Sequence, residues 1–368
     1  MAMPESDTQH MNAALALARR GLGRTWPNPA VGCVIVNAGR VVGRGWTQPG
    51  GRPHAETEAL ARAGTLAQGA TLYVTLEPCS HHGRTPPCAD AVIAAGIARV
   101  VAAMEDTDPR VKGAGFARLR AAGIAVEIGL GAAEAADLNA GFFMRVAGGR
   151  PLVTLKLATS LDGRIALASG ESRWITGEIA RRRTHLLRAS HDAVMIGAGT
   201  ARADDPELTC RLPGMTDRHP VRIVIDPGMR VPLTSKLLAG AARVPTWIVT
   251  RRGGDAARHQ GFRAAGAELI ELPGNDEGIE LTAALAALGS RGLTRILVEG
   301  GGRLAAALLR RDLVDRIAWF HAPLTIGGDG IAAIAALGRE KLAQMPRFER
   351  VGLEAVGEDV LETLRRPA

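Results

Sequence analysis

A chain of 368 residues exceeds what one ordinary core covers, so about two domains of ~100–200 residues each are expected. With 46% hydrophobic and 22% charged residues it has the balance of a globular protein, and no apolar run reaches the ~18–20 residues of a membrane span. The net charge of +8 is spread thinly: residues 1–149 hold 14 Lys and Arg against 12 Asp and Glu, and aromatics reach only 3%. That makes nucleic acid the weaker reading beside small phosphorylated ligands, and neither a nucleic-acid nor a membrane partner is expected.

The N-terminus, "MAMPESDTQHMNAALALARRG", carries acids where a secretory leader is basic and then apolar, so a cytoplasmic location is expected. Residues 8–20 fit an amphipathic helix, and "AVGCVIVNAGRVVGRG" reads as a hairpin. "HAETEALARAG" is helical and stops at Gly64; "ATLYVTLEPC" is a buried strand feeding a loop. "PPCADAVIAAG" has proline before a helical run and glycine after it. "RVVAAM" and "AVEIG" are strands with the helix "GFARLRAAG" between them, which makes the first half an α/β/α sandwich. "NAGFFMRVAGGRP", residues 139–151, reads as the boundary, so the domains are expected at 1–149 and 150–368. Beyond it, the strand patterns "LVTLKLA", "DAVMIG", "VRIVID", "TWIVT", "ELIEL", "RILVEGG" and "RIAWF" alternate with helical stretches such as "GEIARRRTHLLRA", giving a second α/β domain.

Cys33, Cys79, Cys88 and Cys210 are too few and scattered for a disulfide framework. Two of them stand with two histidines in "PCSHHGRTPPCAD", residues 78–90, and His54-Ala55-Glu56 stands upstream. In order these read H-x-E … P-C-(x8)-C. His54, Cys79 and Cys88 offer one nitrogen and two thiolates, the three-ligand set that leaves a zinc ion one open position for water. Glu56 lies about 200° around the helix from His54, outside the ligand set but within reach of that water as a general acid–base. A structural site instead needs four protein ligands, which His81 or His82 could complete; such a site has no use for the carboxylate at i+2. Cys33 falls in a strand pattern and reads as core.

Eight residues between the cysteines depart from the P-C-x-x-C of most nucleobase deaminases. The departure is itself a family trait. "TLEPCSHHGRTPPC" resembles the deaminase domain of the bifunctional riboflavin-biosynthesis deaminase/reductase family, and "PNPAVGCVIV" and "GRPHAETEAL" match that family in order. The resemblance implies a cytidine-deaminase-like first domain, dependent on one Zn2+, that deaminates 2,5-diamino-6-(5-phosphoribosylamino)pyrimidin-4(3H)-one. It implies that Asn28 contacts the pyrimidine and that His81 and Arg84 hold the substrate.

In the second domain, residues alone say less. Lys156 sits in a strand where an edge position would explain it, and "VEGGGRLAAALLRR" places three glycines before a helix, a possible phosphate cradle without the G-x-G-x-x-G or G-K-[ST] patterns. "MIGAGTARADDPELTCR" reads as a strand giving way to a loop. These segments resemble the family's dihydrofolate-reductase-like domain, which uses NADPH to reduce the ribose of 5-amino-6-(5-phosphoribosylamino)uracil to the ribityl form. The resemblance implies cofactor contacts at Ala158, Trp174, Thr200, Asp204, Gly301, Gly302, Arg303, Leu304, Ala305, Ala306 and Ala307. It implies substrate contacts at Ser172, Arg188, Leu208, Arg211 and Glu299, and a catalytic role for Lys156. Two guanidiniums, Arg188 and Arg211, suit a phosphate clamp. Against the family pattern, "EDTDPRVKGAG" (105–115) and Pro227 stand where other residues are usual. Phosphorylated pyrimidines are the expected partners and a homo-oligomer the expected assembly. Two further readings differ in class. An editing deaminase acting on tRNA requires a basic, aromatic-lined face on residues 1–149; a non-enzymatic scaffold requires a closed four-ligand zinc site.

Overall fold

The computed structural model describes residues 5–83, 86–109, 111–275 and 278–367. The chain divides into two compact units, Met1–Gly149 and Arg150–Ala368. In the first unit the elements run α1 (Glu5–Arg19), β1 (Gly32–Asn37), β2 (Arg40–Trp46), α2 (Ala55–Ala63), β3 (Thr71–Val74), α3 (Cys88–Ala94), β4 (Arg99–Ala102), α4 (Ala114–Ala121), β5 (Ala125–Ile128) and α5 (Ala132–Gly148).

Its five strands lie in the order β2-β1-β3-β4-β5, antiparallel across β2, β1 and β3 and parallel from β3 to β5. Both faces of the central strands are apolar, so both must be covered. Cys33, Ile35, Leu72 and Val74 pack with Ala59, Ala89 and Phe116 from α2, α3 and α4, whereas Val34 and Tyr73 pack with Met11 and Leu15 of α1 and Ala135 of α5. The segment expected to be a boundary is helical almost to its end: α5 runs to Gly148, and Gly149 closes it in the left-handed region. Leu138 and Phe142 on its buried face explain why glycine at 141 did not break it.

The second unit contains β6 (Leu152–Thr159), β7 (Arg164–Ala166), α6 (Glu178–Ala189), β8 (Ala193–Gly197), α7 (Ala198–Asp204), β9 (Val221–Ile225), α8 (Lys236–Ala239), β10 (Thr246–Arg251), α9 (Ala256–Ala264) and β11 (Glu268–Leu272). After them come β12 (Gly274–Asn275), β13 (Gly278–Ile279), α10 (Leu281–Ser290), β14 (Arg295–Glu299), α11 (Gly302–Arg310), β15 (Arg316–His321), β16 (Ile331–Ala332), β17 (Glu349–Val356) and β18 (Asp359–Arg365).

Nine strands form one sheet in the order β11-β10-β9-β8-β14-β6-β15-β18-β17. The pairs from β11 to β15 are parallel, and β18 and β17 close the edge antiparallel. β6 therefore lies between β14 and β15, and Lys156 is not an edge lysine. Part of the expected loop after β8 is the helix α7, and Asp205 and Leu208 follow it with positive φ of 38° and 55°.

Candidate active sites

In the first unit, α2 carries His54 and Glu56 to the sheet. His54 is the extended residue at the N-cap of α2, while Glu56 is in its first turn. The helix presses on β2 because Gly43 and Gly45 lack side chains: a Cβ on Gly45 would lie 2.1 Å from the Ala55 carbonyl oxygen, and one on Gly43 2.3 Å from that of Ala59. Cys79 comes from the loop after β3, and Cys88 opens α3.

These three segments bring His54, Cys79 and Cys88 together, with ligand atoms within 4.8 Å of one another. His54 Nδ1 is 3.3 Å from Cys88 Sγ and 3.7 Å from Cys79 Sγ, and the Cys88 backbone N–H donates to Cys79 Sγ at 3.3 Å. One imidazole nitrogen and two sulfurs at these separations are a donor set that fits zinc. No other cluster of three or more such groups occurs among the described residues, and neither His81 nor His82 joins this one. The four-ligand alternative is therefore not supported.

Glu56 is 3% exposed, and burial pushes its carboxyl up to about 7. The hydrogen bond from Cys88, with help from His54, brings the Cys79 thiol down to about 4, so one sulfur is readily a thiolate. Cys33 is buried in the core, where loss of solvation raises its thiol well above the ordinary range. Asn28 donates from Nδ2 to the Gly51 carbonyl at 2.8 Å. His81 Nδ1 is buried with no hydrogen-bond partner among the described residues, and His82 is exposed. Arg84 lies outside the described residues.

Sequence reasoning passed over Glu77. Its carboxylate accepts backbone N–H groups from Asp106 (3.1 Å), Gly113 (2.9 Å), Gly115 (2.8 Å) and Phe116 (3.3 Å). The signal was present: an acid ending a buried apolar strand requires donors. Which donors it would find was not, since they lie about 30 to 40 residues away.

In the second unit, the C-terminal ends of β6, β8 and β14 border a cavity of about 670 Å³. Open parallel sheets bind ligands at that end. Lys156 and Ala158 from β6, Ser172, Thr200 and Asp204 of α7, and Glu299 of β14 are among its walls. So are Gly301, Gly302, Arg303, Leu304 and Ala305 at the start of α11. Gly300 and Gly301 have φ of 114° and 76°, and a Cβ on Gly301 would stand 3.0 Å from Thr200 Oγ1. A glycine turn before a nine-residue helix leaves N–H groups and the positive end of the helix dipole toward the cavity, which fits a dinucleotide's phosphates.

Trp174, Arg188, Leu208, Arg211, Ala306 and Ala307 are not among the cavity walls. Trp174 is 68% exposed with the Arg181 guanidinium 4.5 Å from its ring centroid. Leu208 and Ala306 are buried. Arg188 does not stand free as half of a phosphate clamp. Its Nε and Nη2 donate to Glu299 at 2.6 and 2.8 Å, and Nη1 donates to the Thr209 carbonyl at 3.0 Å. Arg211 is exposed and pairs with Glu207 at 3.0 Å. Burial pushes Glu299 up, yet the Arg188 charge and hydrogen bonds hold it below the usual carboxylate range; burial lowers Lys156, with the Glu299 charge opposing. Pro227 is absent from the walls, whereas Arg202 and Arg230, which sequence reasoning did not single out, are among them.

Residues 4–104 match the cytidine and deoxycytidylate deaminase zinc-binding region, and residues 151–361 match the RibD C-terminal domain. The chain is 45% identical over 365 residues to the riboflavin biosynthesis protein RibD of Escherichia coli K12, covering 96% of this chain and 98% of that one. It is 41% identical to the RibD of Aquifex aeolicus, covering 98% of this chain and 99% of its relative. Among solved structures, Acinetobacter baumannii RibD (form 2) superposes with a TM-score of 0.87 at 38% identity, covering 99% of both chains. A Thermotoga maritima diaminohydroxyphosphoribosylaminopyrimidine deaminase/5-amino-6-(5-phosphoribosylamino)uracil reductase superposes with a TM-score of 0.85 at 33% identity, covering 98% of this chain and 99% of that one. The cytidine-deaminase-like first unit with its His/Cys/Cys cluster, the reductase unit with its cavity, and kinship along nearly the whole length lead to one conclusion: the chain belongs to the bifunctional deaminase/reductase family of riboflavin biosynthesis, zinc-dependent in its first activity and NADPH-dependent in its second.

Proposed function

We propose that His54, Cys79 and Cys88 are the zinc ligands, that Glu56 is the acid–base group, and that the substrate is 2,5-diamino-6-(5-phosphoribosylamino)pyrimidin-4(3H)-one. The observation that carries this reading is the convergence of three donors within 4.8 Å beside a buried carboxyl, with no fourth side-chain ligand among the described residues. Zinc held there supplies Lewis acidity that brings the pKa of a water to about 7. With zinc held there, Glu56 would carry one proton of the attacking water to the ring nitrogen and the second to the departing amine, so that C–NH2 becomes C=O and ammonia leaves. Asn28 spends its Nδ2 on Gly51, which leaves its Oδ1 to read a donor on the pyrimidine. The Nδ1 of His81, without a hydrogen-bond partner among the described residues, supports a substrate contact. Arg84 is assigned to the same task by family likeness alone.

In the second unit, NADPH supplies hydride for C1′ of the open-chain ribose. The α11 N-terminus with Ala158, Thr200 and Asp204 lines the cavity and holds the cofactor; Trp174 is assigned to the cofactor by family likeness alone, as are Arg188, Leu208 and Arg211 to the sugar phosphate, whose other assigned contacts, Ser172 and Glu299, reach the cavity. Lys156 and Glu299 pair across neighbouring strands and both line the cavity, which supports giving them the proton that the nitrogen on C1′ takes up as the open-chain C1′=N bond is reduced. Arg202, Arg230 and Arg303 reach the cavity with no ion pair or hydrogen bond among the described residues, which supports a cofactor bearing an additional phosphate. A cytoplasmic homo-oligomer completes the reading, and sedimentation of the purified chain tests the assembly.

The test is to incubate the protein with the diaminopyrimidine, with and without NADPH, following ammonia and reduced-nicotinamide absorbance. Ammonia in both, with NADPH oxidised only after it, is expected. Ammonia without oxidation refutes the second assignment, and neither signal refutes both.

A further inference from the structure

Both cysteine-bearing segments touch one short helix that holds no zinc ligand. α4 begins where the chain returns from β4, and three of its residues reach toward the site. The N–H groups of Gly115 and Phe116 donate to Glu77, two residues before Cys79. Gly115 packs so closely on the same segment that a Cβ there would stand 2.1 Å from the Pro78 carbonyl oxygen. Arg118 pairs with Asp90 of α3, two residues after Cys88, through Nε at 2.6 Å, and its Nη1 reaches the Ser80 carbonyl at 3.5 Å. Glu77 also takes the N–H groups of Asp106 and Gly113, so one carboxylate gathers the loop before α4, the first turn of α4 and the chain entering Cys79. A buried carboxylate with four N–H donors holds its position firmly, because releasing any donor leaves a buried polar group unpaired.

We infer that Glu77 is a positioning residue for the metal: with Gly115 and Arg118 it braces Cys79 and Cys88 at the separation that zinc requires. This rests on the assignment of zinc to His54, Cys79 and Cys88. Partners that orient metal ligands typically change metal affinity by about 10–100-fold when removed. Glu77→Gln keeps the size of the side chain but turns one acceptor into a donor facing N–H groups.

The experiment is a zinc titration of the full-length protein against a chromophoric chelator, with thermal unfolding of the zinc-free and zinc-loaded forms. For Glu77→Gln the expected results are a zinc dissociation constant raised about 10–100-fold and a smaller zinc-dependent rise in Tm. Reductase turnover by the second unit should be unchanged. A merely structural role lowers the Tm of both forms equally and leaves zinc affinity at the wild-type value, and that result overturns the inference. Arg118→Met, a change at a half-exposed side chain, covers the case in which Glu77→Gln does not fold. Faster zinc release from Arg118→Met supports the brace, and wild-type release overturns it. Wild-type protein that takes up no zinc overturns instead the ligand assignment beneath.

Discussion

Glu56→Gln separates catalysis from metal binding. The substitution exchanges one oxygen for an amide nitrogen in a side chain only 3% exposed, so volume and packing are kept while proton transfer is lost. Glu56 is not part of the donor cluster, so zinc stays bound. A positioned acid–base group is worth about 10²–10⁴-fold. Glu56 is assigned both the removal and the delivery of the proton, which places the expected loss of kcat near the top, about 10³–10⁴-fold, or roughly 4–5.5 kcal/mol at about 1.4 kcal/mol per tenfold. Ammonia release would be measured in single turnovers, zinc content by atomic absorption, and reductase turnover with the deaminated intermediate as an internal control for folding. A variant retaining kcat within tenfold of wild type, or one that loses its zinc, refutes the role given to Glu56.

Three more outcomes follow from the geometry. Gly45→Ala places a methyl 2.1 Å from the Ala55 carbonyl oxygen, so α2 must retreat, carrying His54 and Glu56 with it. A loss of about 1–3 kcal/mol in stability and up to about 10²-fold in deaminase kcat is expected by calorimetry and ammonia assay. Arg188→Met leaves the Glu299 carboxylate, 9% exposed, without its partner, which costs about 3–5 kcal/mol. Glu299 has a folded pKa held below its ordinary 4.5, so its paired contribution is present above pH 4.5 and lost as pH falls through the lower folded value. In Arg188→Met burial without the Arg188 charge raises that carboxyl, so the stability gap to wild type, read by denaturant titration, should be full at neutral pH, begin to narrow above pH 4.5 as the variant's carboxyl takes up its proton, and go on closing as pH falls through the lower wild-type value. Arg230→Ser removes a charged donor from the cavity and should raise KM for NADPH about 10–100-fold while leaving KM for NADH unchanged, because a bond to a charged group is worth about 1.5–3 kcal/mol.

Much of the first site was legible in one dimension because its chemistry is local in type. Zinc requires particular atoms, and His54, Cys79 and Cys88 are residues of the types that offer them and converge in the fold, with Glu56 tied to His54 by helix geometry. The strands were legible for the same reason, since apolar runs such as those of β1 and β8 must be buried wherever they end up.

What the order of residues could not determine is which strand lies beside which. Lys156 reads as an edge lysine until β14 and β15 flank its strand and set Glu299 next to it. Arg188 reads as a free phosphate clamp until that same Glu299 takes its two nitrogens across 111 residues. Glu77 is an unremarked acid until the segment after β4 and the first turn of α4 fold back and supply four N–H groups. Side-chain chemistry is written residue by residue, but the partner that decides whether a charge is free, paired or braced arrives from a distant segment, and only burial of both in one core brings it there.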